Sequence, residues 1–183
     1  MADTESSGTG AGHIYRAYLS LGANIGGREE TIAQALGAIA ALPGVRLLAV
    51  SSLYRTAPVG YLDQPEFING AALLETVLEP EALLERLRGI ELELGRIRRE
   101  RWREREIDID IILIDDLVVS TPALTVPHPE MHRRGFVLAP LAEIAPDAIH
   151  PLLGKSVREL LAGLEDTSGV MRAGEMGNAA GPG

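Results

Sequence analysis

Residues 107–114, Ile107-Asp108-Ile109-Asp110-Ile111-Ile112-Leu113-Ile114, alternate aliphatic and acidic side chains and then become wholly aliphatic. A period of two among β-branched residues dictates a strand, polar on one face at its start and apolar on both faces at its end. In a strand the side chains of i and i+2 share a face, roughly 6.5 to 7 Å apart along the chain, so both carboxylates point the same way. Two like charges on a half-buried face cost several kcal/mol unless a cation or hydrogen-bond donors compensate them. The residues just before the strand suggest what that cation accompanies. Six of the eleven residues 95–105 are arginine: Arg96, Arg98, Arg99, Arg101, Arg103 and Arg105. Planar guanidinium groups bind phosphate oxygens in a bidentate manner, and Mg²⁺ is commonly held by one or two carboxylates together with substrate phosphates. An Arg/Glu-rich run by itself is most often a solvated helix face, and sixteen arginines against one lysine, Lys155, show a general preference for arginine in this chain. It is the aspartate pair that turns the segment into an expected site for Mg²⁺ and a polyphosphate.

Composition narrows the ligand. A net charge of −9 argues against nucleic acid or an anionic membrane surface, so the arginines are expected to line a local pocket for small anions. With 183 residues, 46% of them hydrophobic, the chain fits one domain with a sizeable core. The absence of cysteine removes disulfides, thiolate nucleophiles and cysteine metal sites, which is compatible with the cytoplasm. No apolar run reaches the length of a membrane span, and the start of the chain lacks a signal-peptide pattern.

In chain order, residues 1–12 are small and polar and are expected to be a disordered leader, with the domain occupying 13–164 and a disordered tail 165–183. A strand is expected over Ile14 to Leu21, a glycine-rich turn over Gly22 to Gly27, and a helix over Arg28 to Leu42. The turn has neither a GK[ST] ending nor GxGxxG spacing, so it does not read as a Walker-type phosphate loop. Strands follow at Val45 to Tyr54 and Phe67 to Val77, separated by the aperiodic stretch 55–66, and then a helix over Glu81 to Gly95 that leaves Glu91 off its apolar stripe. After the aspartate strand, Asp115-Asp116 is expected to turn the chain into a hairpin partner at Leu117 to Val119. Helices are expected at Phe136 to Ile144 and Val157 to Leu164. The order gives an α+β fold with a ferredoxin-like βαββαβ core, three-layer α-β-α, with extra C-terminal helices. His128 and His132 stand four apart beside prolines with no third ligand in view, which favours a phosphate or leaving-group contact over zinc.

Four separated stretches in order, YLSLGANIG, SSLYRTAPVGYLDQPEFINGAA, RWREREIDIDI and VPHPEMHRRGFVL, resemble 6-hydroxymethyl-7,8-dihydropterin pyrophosphokinase over about residues 15–163. The resemblance implies transfer of pyrophosphate from ATP to the pterin hydroxymethyl group in folate biosynthesis, with AMP as product and two Mg²⁺ ions as cofactors. Position by position, it implies that Asp108 and Asp110 bind metal and that Arg96 and Arg105 act in catalysis. ATP contacts fall on Glu91, Arg96, Arg98, Arg105, His128 and Arg134. The pterin pocket falls on Thr56, Pro58, Val59, Phe67, Asn69, Trp102 and Phe136. The chain departs from the family's frequent WGPR at Trp102-Arg103-Glu104-Arg105, and also at Ala123 and Pro129.

Such chemistry needs no covalent nucleophile, because phosphoryl transfer is catalysed mainly by positioning and charge stabilisation. The expected partners are therefore ATP and the pterin, for a monomeric cytoplasmic enzyme without nucleic-acid or membrane contacts. A non-enzymatic ferredoxin-like RNA module would present aromatics on its strands, and 4% aromatic content leaves that platform unbuilt. A degenerate, inactive pyrophosphokinase is the remaining alternative.

Overall fold

The computed structural model describes residues 12–57, 63–95 and 106–175. Its elements in order are β1 (Tyr15–Ala23), α1 (Arg28–Ala40), β2 (Val45–Val50), β3 (Ser52–Thr56), β4 (Phe67–Thr76), α2 (Pro80–Glu93), β5 (Asp108–Ile114), β6 (Val119–Ser120), β7 (Thr125–Val126), a 3-10 turn (Met131–Arg133), α3 (Gly135–Ile144), β8 (Ile149–His150), β9 (Lys155–Ser156), α4 (Val157–Ala162) and β10 (Val170–Glu175). The main sheet runs β10-β3-β4-β1-β5, with β2 also on β4, and every pairing in it is antiparallel. This is a mixed α/β domain with a mainly antiparallel sheet and four helices.

Alternation along the strands divides the core in two. Leu19 and Leu21 of β1 with Ile109 and Ile111 of β5 pack under Ile32, Ala35 and Ile39 of α1 and Leu83, Leu87 and Ile90 of α2. Ala71 and Leu113 join Val137, Leu138 and Leu141 of α3 and Leu160 of α4 in a second cluster. Asp108 and Asp110 are one residue out of phase with Ile109 and Ile111, so they share the face on which α3 lies. No helix among the described residues is long and apolar enough to cross a membrane.

Three expectations are corrected. The single strand 45–54 is two strands, because Ser51 leaves the ladder: its amide donates to the Ala71 carbonyl at 2.9 Å while its hydroxyl accepts from the Ala71 amide at 2.9 Å. The hairpin partner after Asp115-Asp116 does not pair with β5. Asp115 takes a positive φ of 43°, its amide donates to the Arg16 carbonyl, and the chain turns away so that β6 pairs with β7. The stretch 165–175, expected as part of a disordered tail, contains β10, which pairs with β3 along the sheet edge. The remainder of that tail, 176–183, and residues 1–11 of the leader lie outside the described residues.

Candidate active site

Gly22 is the pivot of the site. Near the end of β1 it pairs with Asn69 of β4 on one side and Asp108 of β5 on the other, and two residues earlier Ser20 pairs with Ala71 and Asp110. Residues directly opposite across an antiparallel sheet share a face, and adjacent strands lie about 4.8 Å apart, so Asn69 and Asp108 stand roughly 10 Å from each other on one face. The residues between them are small for a reason: a Cβ on Gly22 would lie 2.7 Å from Asn69 Oδ1.

On the β4 side, Asn69 is buried and its Nδ2 donates to Thr56 Oγ1 at 2.6 Å. Thr56 itself pairs with Phe67 across β3 and β4. The amide therefore keeps Oδ1 and one N–H for a ligand edge, with Phe67 two residues away on the same face. Across from them, Phe136 occupies the first turn of α3, with the Arg134 guanidinium 5.6 Å from its ring centroid.

On the β5 side, Asp108 and Asp110 are half-buried. Between them the Ile109 amide donates to Glu91 Oε1 at 2.7 Å. Glu91, off the apolar stripe of α2, is nevertheless buried, because its carboxylate caps this amide. Helical periodicity carries no signal for that role. His128 is tied to the same strand, since its amide donates to the Ile112 carbonyl at 2.9 Å. Its Nδ1 accepts from the Glu130 amide at 3.1 Å, so the neutral ring carries its proton on Nε2. Burial holds the imidazole below its ordinary value, reinforced by the charge of Arg134 and opposed by Glu130 and Asp108. A neutral ring among these charges is a hydrogen-bond donor for an anionic oxygen rather than a second cation.

The glycine-rich turn serves its own chain. Asn24, also buried, donates to Gln64 Oε1 at 3.0 Å and to the Pro65 carbonyl at 3.2 Å, and Arg28 donates to the Glu66 carbonyl at 2.6 Å. Arg55 pairs with the Glu66 carboxylate at 3.6 Å. These contacts fix the approach to Phe67. The His132 ring lies edge-on to His150, 6.3 Å between centroids. Pro58, Val59, Arg96, Arg98, Trp102 and Arg105 lie outside the described residues.

The donor set suits a hard cation. Two carboxylates share one face, and among the described residues no third His, Cys, Asp or Glu completes a metal cluster. Two carboxylates with the rest of the shell drawn from phosphates and water is the usual arrangement for Mg²⁺.

This is a small α/β domain that sets two carboxylates at a strand end on the same sheet face as a buried amide. The profile of the 7,8-dihydro-6-hydroxymethylpterin-pyrophosphokinase family matches residues 18–146, and the chain belongs to that family. It is 48% identical over 157 residues to the 2-amino-4-hydroxy-6-hydroxymethyldihydropteridine pyrophosphokinase of Methylorubrum extorquens, covering 86% of this chain and 98% of that one. The Pseudomonas aeruginosa protein of the same name is 48% identical over 149 residues, covering 81% and 91%. Among solved structures, wild-type Plasmodium falciparum HPPK-DHPS shares the fold with a TM-score of 0.68 at 15% identity; the match covers 84% of this chain and 45% of that longer one.

Proposed function

We infer that this chain is an ATP-dependent pyrophosphokinase of folate biosynthesis, transferring the β,γ-diphosphoryl unit of ATP to the hydroxymethyl oxygen of 6-hydroxymethyl-7,8-dihydropterin. The alcohol oxygen attacks the β-phosphorus, the bond from that phosphorus to the α,β-bridging oxygen breaks, AMP departs, and the hydroxyl proton is released. The observation that supports this reading is the pairing of Gly22 with both Asn69 and Asp108, which puts the Asn69 amide and the carboxylate pair on one sheet face. A pterin bound at the amide would have its exocyclic arm directed at a triphosphate bound at the carboxylates.

Each residue's task follows from its chemistry. Asn69 reads the ring edge with an acceptor and a donor, while Phe67, Phe136 and Trp102 supply apolar and stacking surface and Thr56, Pro58 and Val59 complete the wall. Arg96, Arg98, Arg105 and Arg134 bind and neutralise phosphate oxygens, with Arg96 and Arg105 meeting the charge that develops on transfer. His128 donates from Nε2 to a phosphate oxygen. Glu91 acts on the nucleotide side by holding the Ile109 amide and with it the two aspartates. Asp108 and Asp110 would hold two Mg²⁺ ions, whose bound charge neutralises the triphosphate and orients it for in-line attack. The strand sequence β5-β1-β4-β3 with helices on both faces supports a ferredoxin-like βαββαβ core in three layers. We further propose that the enzyme works as a monomer in the cytoplasm, where ATP and Mg²⁺ are abundant. The RNA-module alternative is not favoured by the family membership.

Incubation with ATP, Mg²⁺ and 6-hydroxymethyl-7,8-dihydropterin tests the reading. Pterin diphosphate and AMP in equal amounts are expected; ADP in place of AMP, or no pterin-dependent nucleotide cleavage, overturns it.

A further inference from the structure

β10 lies beyond the residues 18–146 that the family profile matches, yet it pairs with β3, the strand that carries Thr56. Its register sets Val170 opposite Thr56 and Arg172 opposite Tyr54. Thr56 is the residue whose hydroxyl accepts the Asn69 amide. On its other side Val170 meets α3: a Cβ on Gly135 would lie 3.3 Å from Val170 Cγ2, 3.6 Å from Leu164 Cδ1 and 4.0 Å from Thr167 Cγ2. Gly135 stands between Arg134 and Phe136. One valine thus fills the space between the strand that carries Thr56 and the helix start that carries Phe136.

The same segment fastens the other end of α3. Glu143 accepts from the Ser52 amide at 3.0 Å, the Ser52 hydroxyl at 2.8 Å and the Tyr54 hydroxyl at 2.8 Å. Arg172 closes this network, donating from Nε to Ser52 Oγ at 2.8 Å with Nη2 3.9 Å from Glu143 Oε1. Phe136 and Glu143 are separated by about two helical turns and lie on one side of α3, so holding Glu143 also sets the rotation of Phe136.

We propose that the C-terminal segment 164–172 is a structural wall of the pterin site, in which Val170 is a positioning residue that sets the gap between Thr56 and Phe136. The proposal rests on the pyrophosphokinase reading above. A residue that only added stability would lower the folded fraction and affect both substrates alike; a residue that sets this gap affects the pterin alone. Gly135 gives an independent handle. A methyl group there must displace Val170, and a smaller side chain at 170 relieves the crowding, so the two positions are coupled.

The test compares Val170→Ala, Arg172→Ala, Gly135→Ala and the double variant Val170→Ala/Gly135→Ala, in the full chain, by steady-state kinetics with both substrates varied. Val170→Ala and Arg172→Ala are expected to raise the KM for the pterin roughly fivefold while the KM for ATP and kcat stay within about twofold of wild type. The double variant is expected to bind pterin better than the sum of its single changes would give. Unchanged pterin KM in folded Val170→Ala, additive single effects, or a matched loss for ATP and pterin overturns the proposal. Should Gly135→Ala fail to fold, Val170→Ala and Arg172→Ala decide the matter. A wild-type protein that forms no AMP refutes the underlying reaction instead, so the two failures are distinguishable.

Discussion

The Glu91 carboxylate accepts a hydrogen bond from the Ile109 amide at 2.7 Å, and Ile109 is the residue between Asp108 and Asp110. A buried acid on α2 thereby fixes the strand end that presents both aspartates. Removing one partner of a buried, charge-assisted bond costs about 1–3 kcal/mol, because the amide is left without its acceptor. Glu91→Ala is expected to lower the unfolding free energy by about that amount, and to lower kcat through misplacement of the aspartates. Glu91→Gln keeps an acceptor oxygen and is expected to retain most of the stability. Chemical denaturation of the three proteins checks this; equal midpoints for wild type and Glu91→Ala would show that the bond contributes nothing.

Asp108→Asn and Asp110→Asn each take one negative charge from the sheet face that both carboxylates share. Each is expected to lose nearly all AMP formation in the presence of Mg²⁺. The informative comparison is melting temperature with and without MgATP. Wild type is expected to be stabilised by ligand, rising with the logarithm of its concentration above Kd, and the variants hardly at all.

Gly22→Ala isolates a single methyl group. Its Cβ would sit 2.7 Å from Asn69 Oδ1, so the amide must move away from Thr56 or the strands must part. The KM for the pterin is expected to rise about tenfold or more, a loss on the order of 1.4 kcal/mol, with a smaller effect on the KM for ATP. Equal affinity for pterin in the variant would separate Asn69 from ring recognition.

How far the sequence revealed this site depended on whether each residue's role shows in local patterning. The strand carrying Asp108 and Asp110 was legible because alternation has one structural solution, and α1 and α2 because their apolar stripes have the helical period. Asn69 and Phe136 were legible only through resemblance to a family, since spacing does not say which strand lies beside which. Glu91 shows the limit most clearly: it interrupts no stripe that periodicity would notice, and its partner is a backbone amide eighteen residues away. Val170 and Arg172 were hidden for a different reason. Their stretch is rich in glycine and polar residues, which favours disorder on composition, and the pairing with β3 that orders it is a tertiary effect.

A pH-dependent stability is expected from His150. Its Nδ1 accepts from the Leu152 amide and the Leu153 amide, both at 3.3 Å. A proton on Nδ1 would face two donors. Burial, with the neighbouring His132, lowers its affinity for protons from the ordinary value of 6.5. The unfolded chain then binds the proton more tightly than the folded one. The stabilising contribution is complete above about pH 6.5 and is lost as the pH falls from there through the folded-state value. Thermal melts between pH 7.5 and 5 should show a declining midpoint, and His150→Asn, which keeps a neutral acceptor, should flatten the decline. A slope unaltered by that change would assign the effect to other groups.

Arg134 joins the two halves of the site. Its guanidinium lies 5.6 Å from the centroid of Phe136 while its charge is felt at His128 on the phosphate side. A cation over an aromatic face is worth about 0.5–1 kcal/mol at an exposed position, and a charge-assisted hydrogen bond to phosphate about 1.5–3 kcal/mol. On the proposed reading the phosphate contact is expected to be the larger effect, so bound ATP would set where the guanidinium rests and with it the ring expected to stack on the pterin. Affinities of the two ligands are therefore expected to be coupled, and by reciprocity each is expected to change the other by the same factor. Arg134→Ala is expected to weaken ATP binding by about tenfold to 150-fold and to shrink the coupling between the ligands, leaving pterin affinity in the absence of nucleotide within about fivefold of wild type. Calorimetric titration of the pterin with and without a non-hydrolysable ATP analogue, for both proteins, measures each quantity. Coupling of wild-type size in Arg134→Ala would place the link between the ligands in residues other than Arg134 and Phe136.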